Sequence, residues 1–411
     1  MSSPRAHLVM IIAEQDLLYT PQAIPPDEVI TVVGLPPPAT STVNTVLPVL
    51  DVLGSLDACT RSVDGARRDH YQLAGTDLLD GIGLGAPIRA AVTRLAGDNG
   101  RTAARHAPLF CAARHPYGWH TFSRVLLRPD RIAFIRTSPD PVPSADRGDL
   151  NWLEDAVRLH AEHSGVLNSH DAEVRPAFAG HEVETKLALP PDAPIWPLTV
   201  DVHHRIAAGQ LPGMVPRLRD DLELWDYRND LFEVTGPGDE AGYVSFMAVE
   251  PGTYRVKRKN YTTDKLIRPE TVTPDVRPNR PLDDYVREEV RLDARRLPSF
   301  RRIRYDVKFE SLITGNHYGI FFDRCNLVDA PDEVLVQAEV EYLWSRRVLP
   351  LDEPGILTEL DQIVAWTAAV LAEHQLTAEP TFYSKLSFLR EVVARRPDLR
   401  PNPLTIAGGA A

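Results

Sequence analysis

Cysteine is scarce in this sequence. Its 411 residues include three, Cys59, Cys111 and Cys325, far apart and odd in number. Neither a disulfide framework nor a C-x-x-C metal pair can be built from them. Such usage fits a reducing compartment, and a cytoplasmic location is the expectation. Basic charge is also in deficit, with a formal net charge of −12. That excludes a general nucleic-acid surface, because a phosphate backbone demands a positive face. Long apolar runs are missing too. The stretch "HLVMIIA" ends at Glu14 and Asp16, too short for the apolar region of a signal peptide, and nothing approaches the ~20 uninterrupted apolar residues of a membrane span. No membrane partner and no internal repeat are expected.

What is present is a globular composition, 43% hydrophobic and 25% charged, at a length that suggests about two domains. Many of the 36 prolines fall in connectors such as "PQAIPPDE", "GLPPPATS" and "SPDPVPSADRGD". The last of these divides the chain. Residues 1–143 read as an N-terminal mixed α/β domain, 144–172 as linker and helix, 173–397 as a strand-rich domain, and 398–411 as a loose tail. The first region holds two buried strands, "HLVMIIA" and "EVITVVGL", a helical spacing in "TVNTVLPVLDVLGSL", and a hairpin in "FSRVLLRPDRIAFIRT". A helix, "NWLEDAVRLHAEHSGV", follows the linker. The strand-rich region offers about seven or eight strands, enough to close a barrel. Three helices are expected there, around "WPLTVDVHHRIAAGQ", "ILTELDQIVAWTAAVLAEHQL" and "TFYSKLSFLREVVARR". The fold class is α+β.

Several of these strands share one oddity. In "HEVETKLAL", Glu182, Glu184 and Lys186 lie on one face and Val183, Thr185 and Leu187 on the other, because successive side chains of a strand alternate. "QAEVEYLW" places Glu339 and Glu341 together. "YRVKRKN" aligns Arg255, Lys257 and Lys259, and "FRRIRYDVK" aligns Arg302, Arg304, Asp306 and Lys308. Solvated outer faces are the ordinary explanation. Were all four faces to point inward, the interior would be too costly to keep dry and unpaired. It would suit a ligand that joins hard divalent cations, which take carboxylate oxygens, to phosphates, which take Arg and Lys.

"EVETK" resembles the E-x-E-x-K signature of the CYTH superfamily, the triphosphate tunnel metalloenzymes. In the same order, "LWDYRNDL", "YRVK", "RRIRYD", "FFDRCNL", "AEVEY" and "FYSKLSFL" resemble the later strand motifs and closing helix of that family, over roughly 173–396. The resemblance implies an eight-stranded antiparallel tunnel that hydrolyses or cyclises a substrate carrying a triphosphate. It implies Mg²⁺ or Mn²⁺ at Glu182, Glu184, Glu339 and Glu341. Lys186, Lys257, Arg302 and Arg304 would bind phosphate, with Arg255, Lys259 and Lys308 on the same faces. Asp323 would be an inner carboxylate, completing a catalytic set with Glu182, Glu184 and Lys186. Glu289, in "YVREEVRL", is a further candidate.

One strand departs from the family pattern. Where an L-R-x-R strand is usual, "GYVSFMAV" has no cation. Arg255, Lys259, Arg217 and Arg219 are candidates to compensate. The proline-rich insert "KNYTTDKLIRPETVTPDVRPNRPLDDY" reads as a surface excursion, with a lid over one tunnel mouth as the alternative.

The expected activity is a metal-dependent triphosphatase acting on a small phosphate substrate. Its rivals are a binding-only polyphosphate or nucleotide sensor, a cyclase like the class IV adenylyl cyclases, and a biosynthetic enzyme for another phosphorylated compound. A homodimer or protein partner would use the N-terminal region. There, Cys111, His115 and His120 in "CAARHPYGWH" match no zinc spacing, and Cys111 sits in an apolar run that reads as core. His203 and His204 read as surface or packing residues. "GIGLGAP" lacks the G-x-G-x-x-G spacing of a dinucleotide loop.

Overall fold

The computed structural model describes residues 8–19, 23–36, 45–48, 54–81, 83–96, 103–128, 131–144, 150–168, 176–217, 222–235 and 241–401. They fall into two units. The first comprises Met1–Arg175, Ser311–Asn316 and Trp344–Leu351, and the second the remainder.

The first unit is built on a nine-stranded sheet. Its strands are β1 (Leu8–Glu14), β2 (Val29–Leu35), β3 (Val46–Pro48), β4 (Ser55–Ser62), β5 (Arg68–Ala74), β6 (His106–His115), β7 (Gly118–Arg128) and β8 (Arg131–Arg136), with Val142–Pro143 paired to β7. They pair antiparallel in the order β3-β8-β7-β6-β1-β2-β4-β5. The apolar runs of β1 and β2 have a simple cause: both faces of the sheet are covered. Met10 and Ile12 pack with Ile88 and Val92 of helix α1 (Ala86–Ala96). Ile11 and Ala13 pack with Trp152 and Leu153 of helix α2 (Trp152–Glu162). The expected hairpin forms between β7 and β8, and its turn pair, residues 129–130, lies outside the described residues. The helix expected over "TVNTVLPVLDVLGSL" does not form where the chain is described. Val46–Pro48 is an edge strand and Ser55 opens β4. β-branched residues favour extended backbone, and proline is tolerated at a sheet edge.

The second unit is an eight-stranded antiparallel barrel. Its strands are β9 (His181–Leu189), β10 (Glu223–Val234), β11 (Gly242–Glu250), β12 (Thr253–Asn260), β13 (Ile267–Val276), β14 (Phe300–Ser311), β15 (Asn316–Leu327) and β16 (Val334–Ser345). The ring runs β10-β11-β12-β13-β9-β16-β15-β14 and closes where β14 pairs with β10. Strand β13 corrects an expectation, because the middle of the supposed surface excursion, Ile267–Val276, is a barrel strand. Its prolines Pro269 and Pro274 and its many polar residues disguise it, since proline inside a strand normally argues against one. Its first residues pair with β9 and its later ones with β12.

The helices settle which face of each strand is inside. Val183 and Leu187 of β9, Val307 and Phe309 of β14, Ile320 and Phe322 of β15, and Ala338 and Val340 of β16 share one apolar core. Leu198, Val202 and Ile206 of α3 (Ile195–Ala207) and Ile356, Leu360 and Ile363 of α4 (Glu353–Glu373) complete it. The apolar faces are therefore the outer ones, and alternation turns the charged faces into the bore. Among the described residues, α4 is the one helix long and apolar enough to cross a membrane; its apolar side is spent on the barrel wall. Helix α5 (Lys385–Arg395) packs Leu386, Leu389 and Val392 against Leu231, Tyr243, Phe300 and Leu327. Ser384 caps it, accepting from the Ser387 N–H at 3.1 Å.

Candidate metal and phosphate site

Strands β9 and β16 run antiparallel with Glu184 opposite Glu341 and Lys186 opposite Glu339. Two carboxylates facing each other on one buried face repel unless a cation sits nearby. Glu182, Glu184 and Glu341 each bring a carboxylate oxygen within 4.8 Å of the others. Cations hold two of the three. Lys259 contacts Glu182 and lies 3.8 Å from Glu184, Arg268 reaches Glu182 at 3.1 Å and also contacts Glu184, and Lys186 contacts Glu184. Burial alone would raise the Glu182 pKa; Lys259 and Arg268 outweigh it and hold that carboxyl well below the usual range. Glu341 has no ion pair among the described residues. Burial, reinforced by the charge on Glu182, pushes it up to about 8, which favours its neutral form.

This trio fits a hard divalent cation. The donors are all carboxylate oxygens, as Mg²⁺ and Mn²⁺ prefer. The odd member, Glu341, is a half-buried acid with no ion pair among the described residues, which a cation would allow to ionise.

Glu339 lies with a second cluster. It accepts from Arg302 at 3.2 Å and Lys385 at 2.7 Å, contacts Arg304, and stands 3.9 Å from Lys186. Asp323, fully buried, accepts from Arg302 Nε at 3.0 Å and Arg304 Nε at 2.8 Å, with Lys385 2.9 Å away. Burial would raise the Asp323 pKa, but these three cations bring it down to about 2. Lys257 donates to Glu270 at 3.0 Å. Arg255 lies over the Trp225 ring at 5.5 Å, and Trp225 donates to Asp306 at 3.1 Å. Lys308 pairs with Glu223 at 2.6 Å.

A cavity of about 30 Å³ within the bore is lined by Glu182, Lys257, Lys259, Arg302, Arg304 and Lys385, among others. A larger one, about 1050 Å³, is lined by Asp283, Arg291, Arg296 and Val393 and contains none of the clustered glutamates. Its size does not make it the site, because it lacks the convergent carboxylates.

Strand β11 turns Tyr243, Ser245 and Met247 toward the cavity and brings no cation, as its sequence implies. Arg217 bonds through its backbone N–H to Lys308, Arg217 does not line the cavity, and Arg219 lies outside the described residues. Glu289 is no inner carboxylate: it is exposed and pairs with Arg280 at 3.4 Å. The sequence reading missed Arg268, Glu270 and Lys385. Arg268 and Glu270 have the same spacing of two as the glutamate pairs, but inside the misread insert. Lys385 is the first residue of a helix already recognised.

In the first unit, Cys111 is buried in the apolar core. The Arg136 guanidinium donates to His120 Nδ1 at 2.7 Å. Burial, with Arg136 adding, lowers the His120 pKa to about 4.

No family model and no curated protein matches the chain. Among solved structures it is similar to the PH1819 protein of Pyrococcus horikoshii OT3, at 12% identity and a TM-score of 0.32 over 51% of this chain and 98% of that one. It is also similar to the S. pombe RNA triphosphatase Pct1, in complex with the Spt5 CTD, at 11% identity and a TM-score of 0.22 over 40% of this chain and 72% of that one. Likeness of this degree carries no argument about chemistry. The closed barrel with its charged bore does fit the tunnel architecture that "EVETK" and its companion motifs imply.

Proposed function

We propose that this chain is a metal-dependent enzyme that holds a triphosphate in the barrel bore and cleaves or transfers at a phosphoanhydride bond. One observation carries the reading: Glu182, Glu184 and Glu341 converge within 4.8 Å beside a bore lined with lysine and arginine. A pure anion receptor gains nothing from three convergent carboxylates.

Glu182, Glu184 and Glu341 would hold Mg²⁺ or Mn²⁺, which when bound supplies charge neutralisation at phosphate oxygens. Lys186, Lys257, Lys259, Arg302 and Arg304 neutralise and orient the non-bridging oxygens, so that attack and departure lie in line. Asp323 grips both arginines and keeps their donors fixed, sparing reorganisation as charge moves. Burial strengthens each of these contacts. Lys385, from α5, brings a further cation to the same end of the bore.

Release of orthophosphate and pyrophosphate from tripolyphosphate, ATP and GTP, with Mg²⁺ or Mn²⁺, tests the proposal on wild type, E182Q and E341Q. Metal-dependent release by wild type that both variants lose is the expected result. Tripolyphosphate binding without release would reduce the function to sensing. Pyrophosphate together with a cyclic nucleotide would indicate cyclisation, and neither binding nor release would overturn the proposal.

A further inference from the structure

We propose that Arg268 is an internal counter-ion which a divalent cation displaces from Glu182 and Glu184, and which then grips the phosphate. The inference rests on the triphosphate reading above.

Arg268 stands on β13 in register with Glu182 on β9. It is 1% exposed, one of the most deeply buried charges in the chain. Its Nη2 lies 3.1 Å from Glu182 and also contacts Glu184. Its guanidinium carbon sits 5.3 Å from the Tyr261 ring centroid, and Asp264 is 3.8 Å from Nη1. Its buried Nε has no hydrogen-bond partner. The guanidinium thus occupies the flank of two of the three carboxylates that would take a metal ion, with one donor unspent.

Arg268 already shares the Glu182 oxygen with Lys259 and the Glu184 oxygen with Lys186, so a divalent ion placed there would crowd a doubly charged centre against cations already in contact and raise the repulsion sharply. Metal binding therefore pushes Arg268 off, and a guanidinium stranded in this interior is unfavourable until it meets another anion. A phosphate oxygen is that anion. Phosphate alone faces a milder mirror problem, since taking Arg268 away leaves two buried glutamates with lysine contacts alone. Bound together, metal and phosphate exchange partners and leave no charge unpaired. The two ligands must then help each other, by the same factor in either order. Arg268 also answers the missing cation of β11, whose inward residues Tyr243, Ser245 and Met247 are uncharged.

Removing Arg268 leaves Lys259 on Glu182 and Lys186 on Glu184, so the glutamates stay paired. Mn²⁺ binding is measured by electron paramagnetic resonance without phosphate, and tripolyphosphate binding by calorimetry with Mg²⁺, on wild type, R268M and R268K. R268M is expected to bind Mn²⁺ about tenfold more tightly and Mg²⁺-tripolyphosphate about tenfold more weakly, the effect of one neighbouring charge. R268K keeps the charge but loses the planar fork, and should fall between. A structural role would weaken both ligands together. That result, or no change in either variant, overturns the inference while leaving the triphosphate reading standing. A wild type that binds neither ligand overturns both.

Discussion

Arg302 and Asp323 form a two-pronged pair between adjacent strands, Nε to Oδ1 at 3.0 Å and Nη2 to Oδ2 at 2.5 Å. Asp323 has no exposed surface, and it serves Arg304 and Lys385 as well. One carboxylate therefore touches three cations in the bore, and Glu339 shares all three. The arrangement makes Asp323 the anchor of the phosphate-facing arginines.

D323N should destabilise the fold by about 3–5 kcal/mol, the usual consequence of removing one partner from a buried ion pair. Urea unfolding of wild type and variant measures it. A loss below about 1 kcal/mol, the level of an exposed pair, would show that Glu339 suffices for all three cations.

E341Q removes the one carboxylate of the trio that lacks a cation. Metal-dependent phosphate release should fall at least about a hundredfold, since even outer-shell changes at metal sites reach that size. The fold should tolerate the change, because burial and the neighbouring Glu182 charge already favour the neutral form of Glu341 and it makes no ion pair among the described residues. An unaltered melting temperature with lost activity is the expected pair of readings.

Acid should weaken the protein in a defined window. His120 and His160 are both lowered to about 4, by burial first, then by Arg136 and Arg124 respectively. An unfolded chain binds protons on histidine near pH 6.5, while the folded chain stays neutral down to about 4. The unfolded state therefore holds more protons between these values, and stability falls as pH drops through them. H160F, which keeps an aromatic ring against Phe110, should show a smaller drop in melting temperature between pH 7 and pH 5. A drop equal to that of wild type would mean His160 already titrates normally.

Gly242 opens β11 at φ +124°, and a Cβ there would stand 2.1 Å from the Lys259 carbonyl oxygen. G242A should cost about 1–3 kcal/mol for the backbone conformation alone, and more for the clash. It should also shift Lys259, the partner of Glu182. Thermal unfolding and Mn²⁺ affinity would both register the change.

Period-two alternation in "EVETK", "AEVEY", "YRVK" and "RRIRYD" was legible without coordinates, because a strand has two faces and these residues divide between them. The double-sided burial of β1 and β2 was legible for the converse reason, uninterrupted apolarity. Alternation cannot say which face is inside. The helices α3 and α4 decide that, by covering the apolar faces from without, and a helix's docking partner is not written in a strand's own residues. Register across strands distant in sequence made the further distinctions. It gave Glu339 several ion pairs and Glu341 none among the described residues, and it set Arg268 of an unrecognised strand against Glu182. The chain itself determined two unlike faces on each strand; closure of the barrel determined that the charged ones meet, since only there do residues far apart in sequence share one buried volume.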